Sequence, residues 1–180
     1  MDAKDSLVVA LDVSNLDDVK FLVRELAPRV GCFKIGSRLT TVMGVPKAVE
    51  IVQTHGGNVF LDVKLHDIPN TVGEAVTEAS RLGVTMFTVH ASNGIAAMRK
   101  AVLNNGGMKI FAVTVLTSLD ENECRHIYGT SVKETVFRFA RDAKQAGVDG
   151  IISSPRELEF LCTFPEFANL LKVTPGVRPS

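Results

Sequence analysis

Short apolar runs of strand length alternate along this chain with longer segments whose apolar residues recur at three- and four-residue spacing. The runs predict strands at 7–12, 32–36, 59–64, 85–90, 109–115, 148–153 and 170–174. The segments between them predict helices at 15–26, 46–55, 71–82, 94–103, 132–145 and 155–162. Gly56, Gly83, Gly106 and Gly147 stand where helices would close on a left-handed residue. Strand–helix alternation implies a parallel sheet. No linker or low-complexity stretch divides the chain, so residues 1–180 are expected to form one domain.

Two parallel architectures compete, an open doubly wound sheet and a closed (β/α)8 TIM barrel. Successive predicted strands end in Asp12, Lys34, Asp62 with Lys64, His90, and Thr114 or Thr117. A barrel gathers active groups from the C-terminal ends of many strands, whereas an open sheet concentrates them at its switch point. The pattern therefore favours the barrel. Neither Gly-x-Gly-x-x-Gly after the first strand nor a Walker-type Gly-Lys-Ser/Thr is present, which counts against nucleotide-cofactor folds. A barrel of this kind usually takes at least ~200 residues. This chain stops at Ser180, just after its seventh predicted strand, so the barrel's C-terminal strand and helices are expected to be missing from it.

Composition narrows the function. The chain is 46% hydrophobic and 22% charged, as in an ordinary globular protein. Its 20 basic and 20 acidic residues cancel, and no Lys/Arg run stands out, so neither nucleic acid nor an anionic membrane is an expected partner. A small molecule is. Cys32, Cys124 and Cys162 are odd in number and widely spaced, which fits buried thiols in a reducing compartment better than disulfides or a zinc site. The N-terminus shows no signal-peptide pattern, and no apolar stretch approaches the roughly 20 residues of a membrane helix. The expected location is the cytoplasm.

The chemistry concentrates in residues 58–71. Side-chain alternation would put Phe60, Asp62 and Lys64 on one face of a strand that is otherwise apolar, where a carboxylate beside an ammonium needs a reason. Lys64 is two residues from Asp62 and three from Asp67. One opposite charge at about 4 Å, at an effective dielectric of ~20, is worth roughly 4 kcal/mol before desolvation. Lys64 should therefore stay protonated, which suits a proton donor and argues against a Schiff-base lysine. With Lys34 added, two ammoniums and up to two carboxylates form an array able to stabilise a carbanion without a metal.

Other readings of the same residues stay open. Asp62 and Asp67 could hold Mg2+, although Lys64 would compete for their oxygens. The Asp-x-Lys pair could be an ordinary ion pair. Asp67 could order the following loop, and Thr71 with Glu74 reads as a capping box with Thr71 as N-cap. His66 and His90 read as hydrogen-bonded structural histidines, and His55 and His126 as surface residues at helix ends.

The segment Asp62-Val63-Lys64-Leu65-His66-Asp67-Ile68-Pro69-Asn70-Thr71 resembles the signature of the orotidine 5'-phosphate decarboxylase family. The resemblance extends through Leu11-Asp12-Val13, Phe33-Lys34-Ile35-Gly36, Val89-His90-Ala91-Ser92, Val113-Thr114-Val115-Leu116-Thr117-Ser118 and Thr174-Pro175-Gly176-Val177-Arg178, in versions that look bacterial. It implies a (β/α)8 barrel and a homodimer with active sites at the interface. It also implies decarboxylation of orotidine 5'-monophosphate to UMP and CO2 with no cofactor or metal. By motif position, Lys64 would protonate C6 and Asp62 would lie against the departing carboxylate. Lys34 would complete the charge array and bond the ribose, and Asp12 would bind a ribose hydroxyl. Asp67 and Thr71 would reach the partner's site, Thr117 would contact the pyrimidine, and Arg178 would belong to a closing loop.

One part of the family pattern is absent. Members grip phosphate with a Gln soon after Pro-Gly-Val-Arg and with a Gly-Arg pair ending the eighth strand, and neither occurs in these residues. The 180 residues alone are therefore expected to bind substrate poorly. Related sugar-phosphate decarboxylases and hexulose-phosphate synthases share Asp-x-Lys-x-x-Asp but use Mg2+, and the Leu-His-Asp-Ile-Pro-Asn-Thr continuation speaks against them. A non-catalytic module descended from such a barrel is a further alternative, opposed by four charges that would be costly to keep idle.

Overall fold

The computed structural model describes residues 2–13 and 15–177. Seven strands follow one another in the sheet in chain order: β1 (Val8–Ala10), β2 (Cys32–Gly36), β3 (Val59–Leu65), β4 (Met86–His90), β5 (Lys109–Val113), β6 (Gly150–Ile152) and β7 (Leu171–Val173). Between them run α1 (Leu16–Leu26), α2 (Ser37–Met43), α3 (Val45–Thr54), α4 (Pro69–Arg81), α5 (Ile95–Leu103), α6 (Glu121–Tyr128), α7 (Val132–Ala146) and α8 (Pro155–Cys162). This α/β succession is the one expected of a TIM barrel read to its seventh strand.

The chain contributes to two compact units, which interleave along the sequence. The first takes Met1–Val63, Ala75–Phe87 and Gly106–Met108; the second takes Lys64–Glu74, Thr88–Asn105 and Lys109–Ser180. In the first, β1, β2 and β3 pair in parallel, with Ala10 opposite Lys34 and Gly36 opposite Asp62. Helix α3, with Ala48, Val49, Ile51 and Val52 buried, packs on β2, and α1, with Val19 and Val23 buried, packs against α3. Phe33 and Ile35 are fully buried there, each contributing about 1.5–3 kcal/mol. In the second unit, β5, β6 and β7 pair in parallel, and α7 buries Val136, Phe139, Ala140, Ala143 and Ala146.

Most predicted elements are present within a few residues. Asn15 caps α1 by accepting the Asp17 N–H at 2.8 Å. Two helices escape the periodicity. In each the apolar residues span a single turn, Leu39, Val42 and Met43 in α2 and Cys124, Ile127 and Tyr128 in α6, too short a run to read as a helical period. What forms α6 is its ends: Asp120 and Glu123 make a reciprocal capping box, and Gly129 closes it in the left-handed conformation.

Two expectations are corrected. Thr71 is not the N-cap of its helix. The helix begins at Pro69, whose fixed φ suits the first helical position, and the Ile68 carbonyl accepts the Val72 N–H at 3.0 Å, so Thr71 sits inside the first turn. The strict alternation expected through Phe60, Asp62 and Lys64 ends at Lys64, whose φ is 49°.

Candidate active site

In the first unit, the C-terminal ends of β1, β2 and β3 bring three of the expected residues together. Lys34 Nζ lies 3.6 Å from Asp12 Oδ1 and 3.8 Å from Asp62 Oδ2. The environments differ. The Asp62 side chain is 10% exposed, Lys34 22% and Asp12 64%, so the ammonium bridges a buried carboxylate and a solvated one. The buried pair is the stronger, because water screens the outer one. Register explains the meeting. Lys34 starts level with Ala10 and Phe60, and its stem rises toward Gly36, the residue opposite Asp62. From α2, Arg38 Nη1 donates to the Asp12 carbonyl oxygen at 2.9 Å, so the loop after β1 is held by a helix that periodicity does not reveal.

The second unit carries the remainder of the signature. Lys64 holds a left-handed backbone, and its N–H donates to the hydroxyl oxygen of Thr88 at 2.9 Å. A non-glycine residue in that region stores of order 1–3 kcal/mol of strain, and such residues cluster at functional sites. Thr88 is fully buried in β4. Its signal in the sequence was a hydroxyl amid an apolar run, where burial demands a partner. After Val63, Lys64 and Leu65, which are half-buried, the segment His66, Asp67, Ile68, Pro69 and Asn70 is exposed, and Thr71 is half-buried. Asp67 Oδ1 accepts the Ile68 N–H at 2.7 Å, so this carboxylate does order the turn into α4.

His66 is exposed and His55 half-buried, the reverse of the structural and surface roles expected of them. His66 and His90 meet edge to face, with centroids 5.7 Å apart. His55 lies at the end of α3, its Nδ1 2.7 Å from the Ile51 carbonyl oxygen, and His126 is exposed in the last turn of α6. Of the two threonines after β5, Thr114 is buried and donates its hydroxyl to the Ile152 carbonyl at 2.9 Å, a structural role. Thr117 is exposed in the turn that follows. Arg178 lies outside the described residues.

Residues 5–180 match the family described as "Orotidine 5'-phosphate decarboxylase / HUMPS family". The chain belongs to this family. Relatives named orotidine 5'-phosphate decarboxylase include those of Moorella thermoacetica, 46% identical over 100% of this chain and 75% of that protein, and of Trichlorobacter lovleyi, 43% identical over 99% of this chain and 77% of that protein. Among solved structures, the orotidine 5'-phosphate decarboxylase of Lactobacillus acidophilus aligns with a TM-score of 0.84 at 32% identity, covering 96% of this chain and 81% of that one. An uncharacterized conserved protein from Geobacillus kaustophilus aligns with a TM-score of 0.83 at 35% identity, covering 93% and 82%. The decarboxylase family members named here are carboxy-lyases of pyrimidine synthesis. They are longer, since the chain spans about three quarters of the two curated relatives.

Proposed function

We propose that the chain decarboxylates orotidine 5'-monophosphate to UMP and CO2 in pyrimidine biosynthesis, without cofactor or metal, as a cytoplasmic homodimer. The observation that carries this is the buried Asp62 carboxylate held 3.8 Å from the Lys34 ammonium, two residues before a left-handed Lys64. A substrate carboxylate brought against Asp62 is repelled, and loss of neutral CO2 relieves that repulsion. As the C6–carboxylate bond breaks, its electron pair stays on C6 and takes a proton from the Lys64 ammonium, which is later reprotonated from water. The charge developing on C6 is stabilised by the same ammonium before the transfer is complete.

The other assignments follow the signature. Lys34 bonds the ribose while fixing Asp62, Asp12 takes a ribose hydroxyl, Thr117 contacts the pyrimidine, and Arg178 belongs to a loop closing on the ligand. Val63, Leu65, His66, Ile68, Pro69 and Asn70 complete the segment that wraps the substrate. Asp67 and Thr71 serve the partner's site.

The test is ultraviolet absorbance loss from orotidine 5'-monophosphate with the full-length gene product in EDTA, with Lys64→Ala as control. Metal-free turnover that the variant abolishes supports the proposal. No turnover from the folded full-length gene product, or turnover that needs Mg2+, would overturn it in favour of metal-dependent sugar-phosphate chemistry. Mixing inactive Lys64→Ala and Asp67→Ala subunits tests the shared site: rescue supports it, and confirmed mixed dimers without activity refute it.

A further inference from the structure

Gly36 ends β2 with φ −104° and ψ −175°, an extended backbone that any residue adopts. Conformation therefore does not explain the glycine. Helix initiation does not explain it either: Gly36 is the residue before α2 and makes no side-chain cap, although Ser, Asp or Asn there would satisfy the helix's first N–H groups. Space does explain it. A Cβ at this position would lie 3.2 Å from Lys34 Nζ and 3.9 Å from Asp12 Oδ1.

Lys34 and Gly36 share a strand face and are about 6.6 Å apart along it, so the lysine stem runs toward the glycine and its ammonium comes to rest over the bare α-carbon. There it stands level with Asp62, the residue paired with Gly36. We propose that Gly36 is a positioning residue: its missing side chain is the seat that lets the Lys34 ammonium stand between Asp12 and Asp62. The proposal deepens the decarboxylase reading and rests on it. Both ion pairs are long, at 3.6 and 3.8 Å, so moving the ammonium off this seat weakens its hold on one carboxylate or the other.

A double-mutant cycle of Gly36→Ala and Lys34→Ala tests it, read in turnover of orotidine 5'-monophosphate, in affinity for UMP and in melting temperature. Gly36→Ala alone should lower kcat/KM by about 10- to 100-fold, as a small misplacement of a catalytic array does. In the Lys34→Ala background the same change should cost less than about twofold in UMP affinity, because the group it displaces is gone. If Gly36→Ala destabilises the fold, removing Lys34 should restore the melting temperature toward that of Lys34→Ala alone. Wild-type activity in Gly36→Ala beside a crippled Lys34→Ala overturns the proposal while leaving the functional reading intact. An equal loss from Gly36→Ala in both backgrounds, in affinity or in melting temperature, also overturns it. Full activity in Lys34→Ala would sink the functional reading itself, and the proposal with it.

Discussion

The backbone N–H of Lys64 donates to the hydroxyl oxygen of Thr88 at 2.9 Å, and this bond fastens the one non-glycine residue of positive φ among the described residues. Strain at Lys64 persists because a fully buried neighbour holds it.

Thr88→Val should therefore act twice. It keeps the shape of the side chain but leaves the Lys64 N–H without this acceptor, at a cost of about 1–3 kcal/mol in denaturant unfolding. It also frees Lys64 to relax, so kcat should fall by about tenfold or more. Thr88→Ser retains the hydroxyl and should stay within about 1 kcal/mol and a few-fold in rate. A Thr88→Val enzyme with unaltered kcat would show that this bond does not aim Lys64.

The two partners of Lys34 should separate by burial. Asp12→Asn removes a carboxylate that is 64% exposed and should change stability by less than about 1 kcal/mol. Lys34→Met takes a cation from beside the Asp62 carboxylate, which is 10% exposed, and should cost more, on the order of 3 kcal/mol. Equal losses from the two variants in urea melts would contradict this ranking.

Burial raises the Glu157 carboxyl above its ordinary value of 4.5, opposed by the Ser154 N–H that donates to it at 2.8 Å. A raised folded pKa means that the folded state holds this proton more tightly than the unfolded chain. The group's contribution to stability is thus complete below 4.5 and declines as pH rises through the folded value. Glu157→Gln stays neutral and can still accept the Ser154 N–H. Melting temperatures across the acid range should show the wild type losing ground to this variant as pH rises; parallel curves would refute the assignment.

Thiol reactivity should follow the same logic. Burial pushes the Cys32 thiol up to about 11, and Cys124 is buried with its Sγ 3.5 Å from Thr135 Oγ1, whereas Cys162 is exposed. At pH 8, a disulfide reagent should label one thiol quickly in native protein and three after denaturation. Cys162→Ser should remove the fast phase.

Much of this protein was legible in its residues because the signals are local. Apolar runs spaced by amphipathic segments gave seven strands in chain order, and the charged signature within 62–71 pointed to the family and its chemistry. Other features depended on what a residue meets far along the chain. Helices α2 and α6 are only 7 and 8 residues long, too short for their apolar spacing to register as a period. Pro69 moved a helix start ahead of Thr71, since a fixed φ at the first turn outweighed a good capping residue further in.

The sequence by itself determined the parallel α/β order, the family and the charged residues proposed for the chemistry, because periodicity and motif are written in neighbouring positions. Tertiary structure alone decided that the Lys34 ammonium stands between Asp12 and Asp62, that Gly36 leaves room for it, and that Thr88 holds Lys64 left-handed. Those facts depend on which strands pair and how, which sets residues about two dozen positions apart within a few ångströms of one another, whereas local periodicity shows only which stretch is a strand.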